Sequence, residues 1–301
     1  MDGNQIIAVK NLSFSFGNQK VLDNISLSVP KGSIYGFLGP NGSGKTTTIK
    51  LLLSLLKNNE DNISLFGESL KGNREDILKR IGSLIEAPAL YHHLTGFANL
   101  KVRAIIFGVT EERIREILAI VGLTDAASKK AGKYSLGMKQ RLGIGLALLS
   151  DPELLILDEP TNGLDPNGII EIRKLIQKLA TEFGKTIFIS SHLLAEIERI
   201  ATHVGILYHG KLSFEGKIGD LQGIKTADIL IETDRNDAAK ELLAADYTVI
   251  QQGNVLKVAY QSQEQIASIV SALVHHKINV YSIYKEKKDL ESLFLDITQT
   301  A

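Results

Sequence analysis

Residues 39–47 read Gly39-Pro40-Asn41-Gly42-Ser43-Gly44-Lys45-Thr46-Thr47, and they decide how the rest of the chain is read. Gly39, Gly44, Lys45 and Thr46 fill the four fixed places of the phosphate-binding pattern G-x-x-x-x-G-K-S/T. Before them, Ser33-Ile34-Tyr35-Gly36-Phe37-Leu38 is a short apolar strand; after them, residues 48–56 read as a mostly buried helix. Strand, glycine-rich turn and helix are the context this pattern needs. Gly39, Gly42 and Gly44 lack a Cβ, so the backbone can curl and aim N–H groups at an anion. The loop opens a helix, whose unpaired first-turn N–H groups and partial positive charge favour phosphate. Lys45 can reach β- and γ-phosphates, and the Thr46 hydroxyl can sit on Mg²⁺.

Composition narrows the class. The 301 residues suffice for one large or two modest domains, and a hydrophobic content of 44% supplies a core. Lys plus Arg equals Asp plus Glu at 34 each, so the formal charge is zero. That argues against a protein that grips nucleic acid through a broad basic face. The absence of cysteine excludes disulfides, thiolate metal sites and cysteine nucleophiles, and accords with the cytoplasm. Met1-Asp2-Gly3-Asn4-Gln5 lacks the basic start of a signal peptide. The longest apolar runs, 51–56 and 146–149, fall far short of the roughly 18 residues of a membrane span. The expectation is a cytoplasmic chain that does not cross a membrane itself but can dock onto something that does.

Along the chain, 6–16 reads as a strand with Leu12, Phe14 and Phe16 on one face and Ser13 and Ser15 on the other. Residues 21–29 alternate likewise, 63–66 form a short strand closed by Gly67, and 81–85 is another apolar stretch. From about 88 to 150 the pattern is helical, with Ile114, Ile117, Leu118 and Val121 at helical spacing. Residues 154–157 are a continuous apolar run, as a strand covered on both faces requires. An amphipathic helix over 167–183, a buried strand over 186–190 and a hairpin turning at His209-Gly210 follow. After residue 222 the pattern becomes a smaller unit: strand 227–232, helix 237–244, hairpin 247–260 around Gly253-Asn254, helix 263–276, strand 278–284, helix 289–297. This unit carries no phosphate motif.

Four further features narrow the chemistry. The run 154–157 leads into Asp158-Glu159-Pro160. Ligands of open α/β sheets sit at the carboxyl ends of strands, so both acids face the bound nucleotide. Asp158 is placed to hold Mg²⁺ through water, and Glu159 to polarise an attacking water, a role worth about 10²–10⁴-fold in rate. Ser135-Leu136-Gly137-Met138 opens a helix that Ser135 can cap, another anion site for which nothing local supplies the anion. Asp165-Pro166 forms an N-cap followed by proline at the first helical position, which explains Asp165 structurally and leaves room for a bridging role. His192 follows the strand 186–190 and is the one histidine of seven with the context to touch a γ-phosphate.

In this order, the motifs resemble the ATP-binding subunit of an ABC transporter over about residues 5–221. The resemblance implies a P-loop α/β core with an antiparallel β-subdomain and a helical subdomain (about 88–150), residues 1–221 forming the nucleotide-binding domain and 222–301 an α+β accessory domain. It implies ATP as substrate with Mg²⁺ as cofactor, a separate membrane permease as partner, docked through the helical region, and an ATP-dependent homodimer. Ser135 and Gly137, with Leu136 and Met138 in the same signature, would contact ATP bound to the phosphate loop of a second copy, and Asp165 would bridge the two. Phe16 matches the residue that stacks on adenine; a core phenylalanine beside Phe14 explains it equally.

Two departures stand out. The signature reads Ser-Leu-Gly-Met where the family usually has Ser-Gly-Gly-Gln. Glu86 replaces a glutamine that serves as Mg²⁺ ligand and hinge, so Glu86 is carried here as a metal and catalytic residue with Glu159 and His192. A glutamate there, followed by Pro88-Ala89-Leu90-Tyr91, resembles the bacitracin-type and lantibiotic-type peptide export branch, as does Asp289-Leu290-Glu291-Ser292-Leu293-Phe294. The alternatives are a soluble ABC-type ATPase, against which stand one cassette, no heptads and no net charge, and a nucleotide-gated regulatory module, against which stand Glu159 and His192.

Overall fold

The computed structural model describes residues 5–58, 61–223 and 228–286. The described chain divides into two compact units that part after Ile218. The first runs β1 (Gln5–Phe16), β2 (Gln19–Pro30), β3 (Ile34–Leu38), α1 (Lys45–Leu52), β4 (Ile63–Leu65), β5 (Glu68–Ser69), α2 (Arg74–Lys79), β6 (Ile81–Leu84), α3 (Gly96–Phe107), α4 (Glu111–Ile120), α5 (Leu136–Leu148), β7 (Leu154–Asp158), α6 (Pro166–Thr181), β8 (Thr186–Ser191), α7 (Leu194–Ile197), β9 (His203–Tyr208) and β10 (Lys211–Lys217), with α8 (Ile218–Gly223) at the junction.

Two sheets build this unit. The order β10-β9-β3-β8-β7-β6 is parallel throughout except for β10, and β2-β1-β4-β5 is antiparallel. Sequence explains the difference. Every residue of β3, β7 and β8 is buried, which is the fate of apolar runs in a parallel sheet flanked on both faces. β1 and β2 mix buried and exposed residues because one face of an antiparallel sheet meets water. Ile7, Leu12, Leu22 and Ile25 of the antiparallel sheet share one core with Phe37, Ile156 and Phe188 of the parallel sheet. The carboxyl ends of β3, β8, β7 and β6 thereby lie side by side, and α1 leaves from the first of them.

The helix expected over 48–56 stops at Leu52. The Ser54 N–H donates to Leu51 O (3.0 Å) and the Leu55 N–H to Lys50 O (2.8 Å), with Ser54 at φ 52°. This is a Schellman closure, in which a left-handed residue satisfies the last carbonyls; it leaves Leu55 exposed. The short α2 and α7 carried too little periodicity to be read in advance.

The second unit runs β11 (Asp228–Thr233), α9 (Asn236–Leu243), β12 (Val249–Gln252), β13 (Val255–Ala259), α10 (Gln263–His275) and β14 (Val280–Glu286). Its sheet, β12-β13-β11-β14, is antiparallel throughout. Ile229, Ile231, Leu256 and Val258 meet Leu243, Ile269 and Leu273 in a core of its own. The helix expected over 289–297 lies outside the described residues.

Candidate active site

The phosphate loop joins β3 to α1. Gly44 is the N-cap of α1 at φ 110°, and no side chain caps the helix, so its first-turn N–H groups are left to an anion. Gly39 is required by contact, and Gly44 by conformation as well. A Cβ on Gly39 would stand 2.3 Å from Leu207 O, and one on Gly44 would stand 2.6 Å from Leu22 Cδ2. The loop is pinned by Gly39 N–H to Ser191 O (3.3 Å) and by Gly210 N–H to Ser43 O (3.2 Å). Lys45 is buried, its ammonium donating to Gly39 O at 2.7 Å and Pro40 O at 3.3 Å.

The neighbouring strand ends supply the acids. Asp158 pairs across the sheet with Ser190, and Leu38 with Ser191. The Thr46 hydroxyl donates to Asp158 Oδ2 (2.9 Å), and the Ser190 hydroxyl donates to Asp158 Oδ1 (2.5 Å) while accepting the Glu159 N–H (2.9 Å). Asp158 is 1% exposed, and these bonds are what makes a buried carboxylate tolerable. Glu159 takes a left-handed backbone at φ 47°, rare for a non-glycine residue and concentrated at functional sites. That turn brings Glu159 Oε1 within 3.3 Å of the Lys45 ammonium and Oε2 within 2.8 Å of His192 Nδ1. Among the described residues, Glu159 Oε1 and Ser43 Oγ are buried with no aligned hydrogen-bond partner; the 3.3 Å approach of Lys45 to Oε1 is an ion pair rather than a directed bond. Glu86, just past β6, has a left-handed backbone too (φ 56°), and its carboxylate lies 3.0 Å from the Lys50 ammonium.

The structure thus brings Lys45, Thr46, Asp158, Glu159 and His192 into one connected group. Ser190 belongs to it and was not singled out from sequence; its signal was a hydroxyl on the last turn of an apolar strand, beside Ser191-His192. Lys50 escaped notice for the same reason, since a lysine in the last turn of a helix is already explained by the dipole.

A magnesium ion fits this group on one observation: the Thr46 hydroxyl and the Asp158 carboxylate, two hard oxygen donors, lie 2.9 Å apart at the mouth of the phosphate cradle. Among the described residues no three His, Asp or Glu side chains come together as a cage. Phosphate and water would have to complete the shell, as is usual for magnesium at nucleotide sites.

The signature residues sit elsewhere. Ser135 caps α5, its hydroxyl accepting the Met138 N–H at 3.2 Å. Leu136 is half-exposed, and Ser135 to Met138 line a groove with Gly163, Leu164 and Asp165. None of the described hydrogen bonds of Ser135 to Met138 reaches the phosphate loop. Asp165 caps α6 by accepting the Gly168 N–H at 3.1 Å, as its position before proline predicts. The preceding Tyr134 donates to Ala126 O (2.7 Å), and burial raises its hydroxyl pKa, so it stays a donor. Phe16 is 52% exposed and meets Phe14 edge-on, at 5.0 Å between ring centres. It is not a core phenylalanine.

Comparison with known proteins agrees with this geometry. A family profile described as ABC transporter matches residues 22–162. The bacitracin transport ATP-binding protein BcrA of Bacillus licheniformis is 44% identical, with 97% of each chain covered. The lantibiotic transport ATP-binding protein SrtF of Streptococcus pyogenes is also 44% identical, over 70% of this chain and 90% of that one. A solved structure titled as the ATP-binding subunit of an ABC transporter superposes with a TM-score of 0.64 at 32% identity, covering 72% of this chain and 92% of its own.

Proposed function

The chain belongs to the family of ABC transporter ATP-binding proteins, and we propose that it is the ATP-hydrolysing subunit of an exporter for an antimicrobial peptide or drug, working through a permease on a separate chain. The observation that carries the enzymatic part is the connected group Thr46–Asp158–Ser190–Glu159–His192 with Lys45 against Glu159. The relatives named for bacitracin and lantibiotic transport support the cargo class.

The chemistry follows from the residues. Phosphates entering the cradle meet the loop N–H groups and Lys45, whose ammonium then has a stronger partner than Glu159. The Glu159 carboxylate is freed to orient a water against the γ-phosphate, while His192 turns from Glu159 to that phosphate. Thr46, Asp158 and Glu86 are the residues that would hold magnesium, which when bound would supply charge neutralisation at the phosphates. Phe16 stacks on the base. Ser135 and Gly137 of a second copy offer neutral donors to the same γ-phosphate, and Asp165 bridges the copies, so two chains enclose two ATP molecules head to tail. Nucleotide that binds only the closed dimer stabilises it by linkage.

Among the described residues no helix is long and apolar enough to cross a membrane. The helical region instead exposes Val102, Ile105, Ile106 and Phe107 on α3, beside a groove lined by Leu90, Tyr91 and Leu146. Exposed apolar side chains grouped on one helix are characteristic of interaction sites, and we assign this face to the permease's cytoplasmic surface, which would hold the subunit at the inner face of the membrane. Residues 1–221 are proposed as the nucleotide-binding domain and 222–301 as an accessory domain.

The test compares wild type with Glu159→Gln for Mg-ATP turnover and for mass in solution with ATP. The expected result is turnover reduced by about 10²–10⁴-fold and an ATP-held dimer for the variant. A wild type inert even with its permease present would count for a regulatory module instead.

A further inference from the structure

We propose that Lys50 is a positioning residue for Glu86, holding its carboxylate and setting how readily the site takes up a divalent cation. The inference rests on the reading of Glu86 as a metal-side residue. Its ground is the placement of charge. Leu84 of β6 pairs with Leu157 of β7, so Glu86 and Glu159 each lie two residues past a matched pair, at adjacent strand ends. Both have left-handed backbones, φ 56° and 47°. Asp158 precedes Glu159 at the end of β7, so three acidic residues stand at the carboxyl ends of two adjacent strands. Two cations oppose them, both from α1: Lys45 within 3.3 Å of Glu159, and Lys50 within 3.0 Å of Glu86.

The helix sets the geometry. Thr46 and Lys50 are four residues apart on α1 and share one face. Thr46 donates to Asp158; Lys50 holds Glu86 from the next turn. The carboxylate at 86 is therefore steered toward the face of α1 where the Thr46–Asp158 pair stands, and its charge is offset until a cation arrives. The side chains of Lys50 and Glu86 are 36% and 66% exposed, so solvent screens the pair and it opens easily. A divalent ion beside Thr46 and the Lys50 ammonium then compete for one carboxylate. An arginine at 50 would preserve the competition; an uncharged residue would abolish it.

The experiment uses the full chain with Glu159→Gln, saturated with ATP, and measures Mn²⁺ affinity by electron paramagnetic resonance. Lys50→Met is expected to tighten Mn²⁺ binding by about two- to fivefold, the scale of an exposed ion pair, and Lys50→Arg to leave it unchanged. Glu86→Gln is expected to weaken it by a similar factor, and Lys50→Met added to Glu86→Gln to have little further effect. Three results overturn the proposal: Lys50→Met leaves Mn²⁺ affinity unmoved while Glu86→Gln weakens it; Lys50→Met acts equally with and without Glu86; or Lys50→Arg behaves like Lys50→Met. If Glu86→Gln alone changes nothing, the metal-side reading of Glu86 falls first, and the proposal with it.

Discussion

The phosphate loop and the Ser135 groove are both helix starts suited to an anion, yet they differ in almost every other respect. Around the loop, Lys45, Thr46, Asp158, Ser190, Glu159 and His192 form an unbroken series of contacts between 2.5 and 3.3 Å. At the groove, Ser135, Leu136, Gly137 and Met138 are themselves uncharged, the Ser135 hydroxyl accepts a bond from its own helix, and the charged Arg141 and Glu171 on the groove wall are paired with each other. In the proposed reading the first region supplies the charges that bind and activate, and the signature residues of the second offer neutral donors to a nucleotide held by another copy. That contrast is what the proposed head-to-tail dimer accounts for, each chain supplying one half of two sites.

The largest effect is expected from Gly137→Asp. A Cβ at Gly137 meets nothing closer than 3.9 Å, so the fold has room. Turnover is expected to fall by about 10²–10³-fold, the size of losing one transition-state donor, and the ATP-held dimer to disappear in a Glu159→Gln background. Nucleotide binding by the monomer should stay unchanged in equilibrium fluorescence titrations. A parallel loss of monomer affinity would mean that the groove serves its own chain's nucleotide.

A smaller effect is expected from Phe16→Ala. If the exposed ring stacks on the base, nucleotide affinity should weaken about fivefold or more, corresponding to at least ~1 kcal/mol of stacking. Stability in urea should barely move. A loss of about 3 kcal/mol in stability with affinity intact would return Phe16 to the core.

The smallest effect is expected at Asp151, which joins α4 to the segment ahead of β8. Asp151 accepts from Lys185 at 2.9 Å, ahead of β8, and from Arg113 of α4 at 3.0 Å. The hydrogen bond from Lys185, more than the charge of Arg113, holds the Asp151 carboxyl below its ordinary 3.8. A lowered carboxylate stabilises the fold above the unfolded value and ceases to as pH falls through the folded one. Asp151→Asn should therefore cost about 0.2–1 kcal/mol at pH 7, an exposed pair's worth. Denaturation curves should show that gap closing progressively below pH 3.8. A gap independent of pH would assign the effect to packing rather than charge.

Much of the site was legible because its parts are local. The glycine loop, the strand-end pair Asp158-Glu159 and the caps Ser135 and Asp165 each need only a few consecutive residues, and their local geometry follows from backbone rules. Phe16 was ambiguous for the opposite reason: alternation says which face a residue takes, not whether anything covers that face. Ser190 and Lys50 were missed because each has an adequate local explanation, and their partners are 32 and 36 residues away. The end of α1 was missed too, since Leu53 to Leu56 look helical until the Ser54 turn is seen.

The sequence by itself determined the phosphate cradle, the parallel-sheet core, the acids that end β7 and the change of pattern near residue 222, because each is encoded in contiguous residue types and their period. Only the tertiary structure decided which side chains meet. Register across β6, β7 and β8 sets Glu86, Glu159 and Ser190 at one edge, and α1 delivers Lys45, Thr46 and Lys50 onto it. Such contacts depend on strand order and on two left-handed glutamates, and those are consequences of packing that no local pattern records.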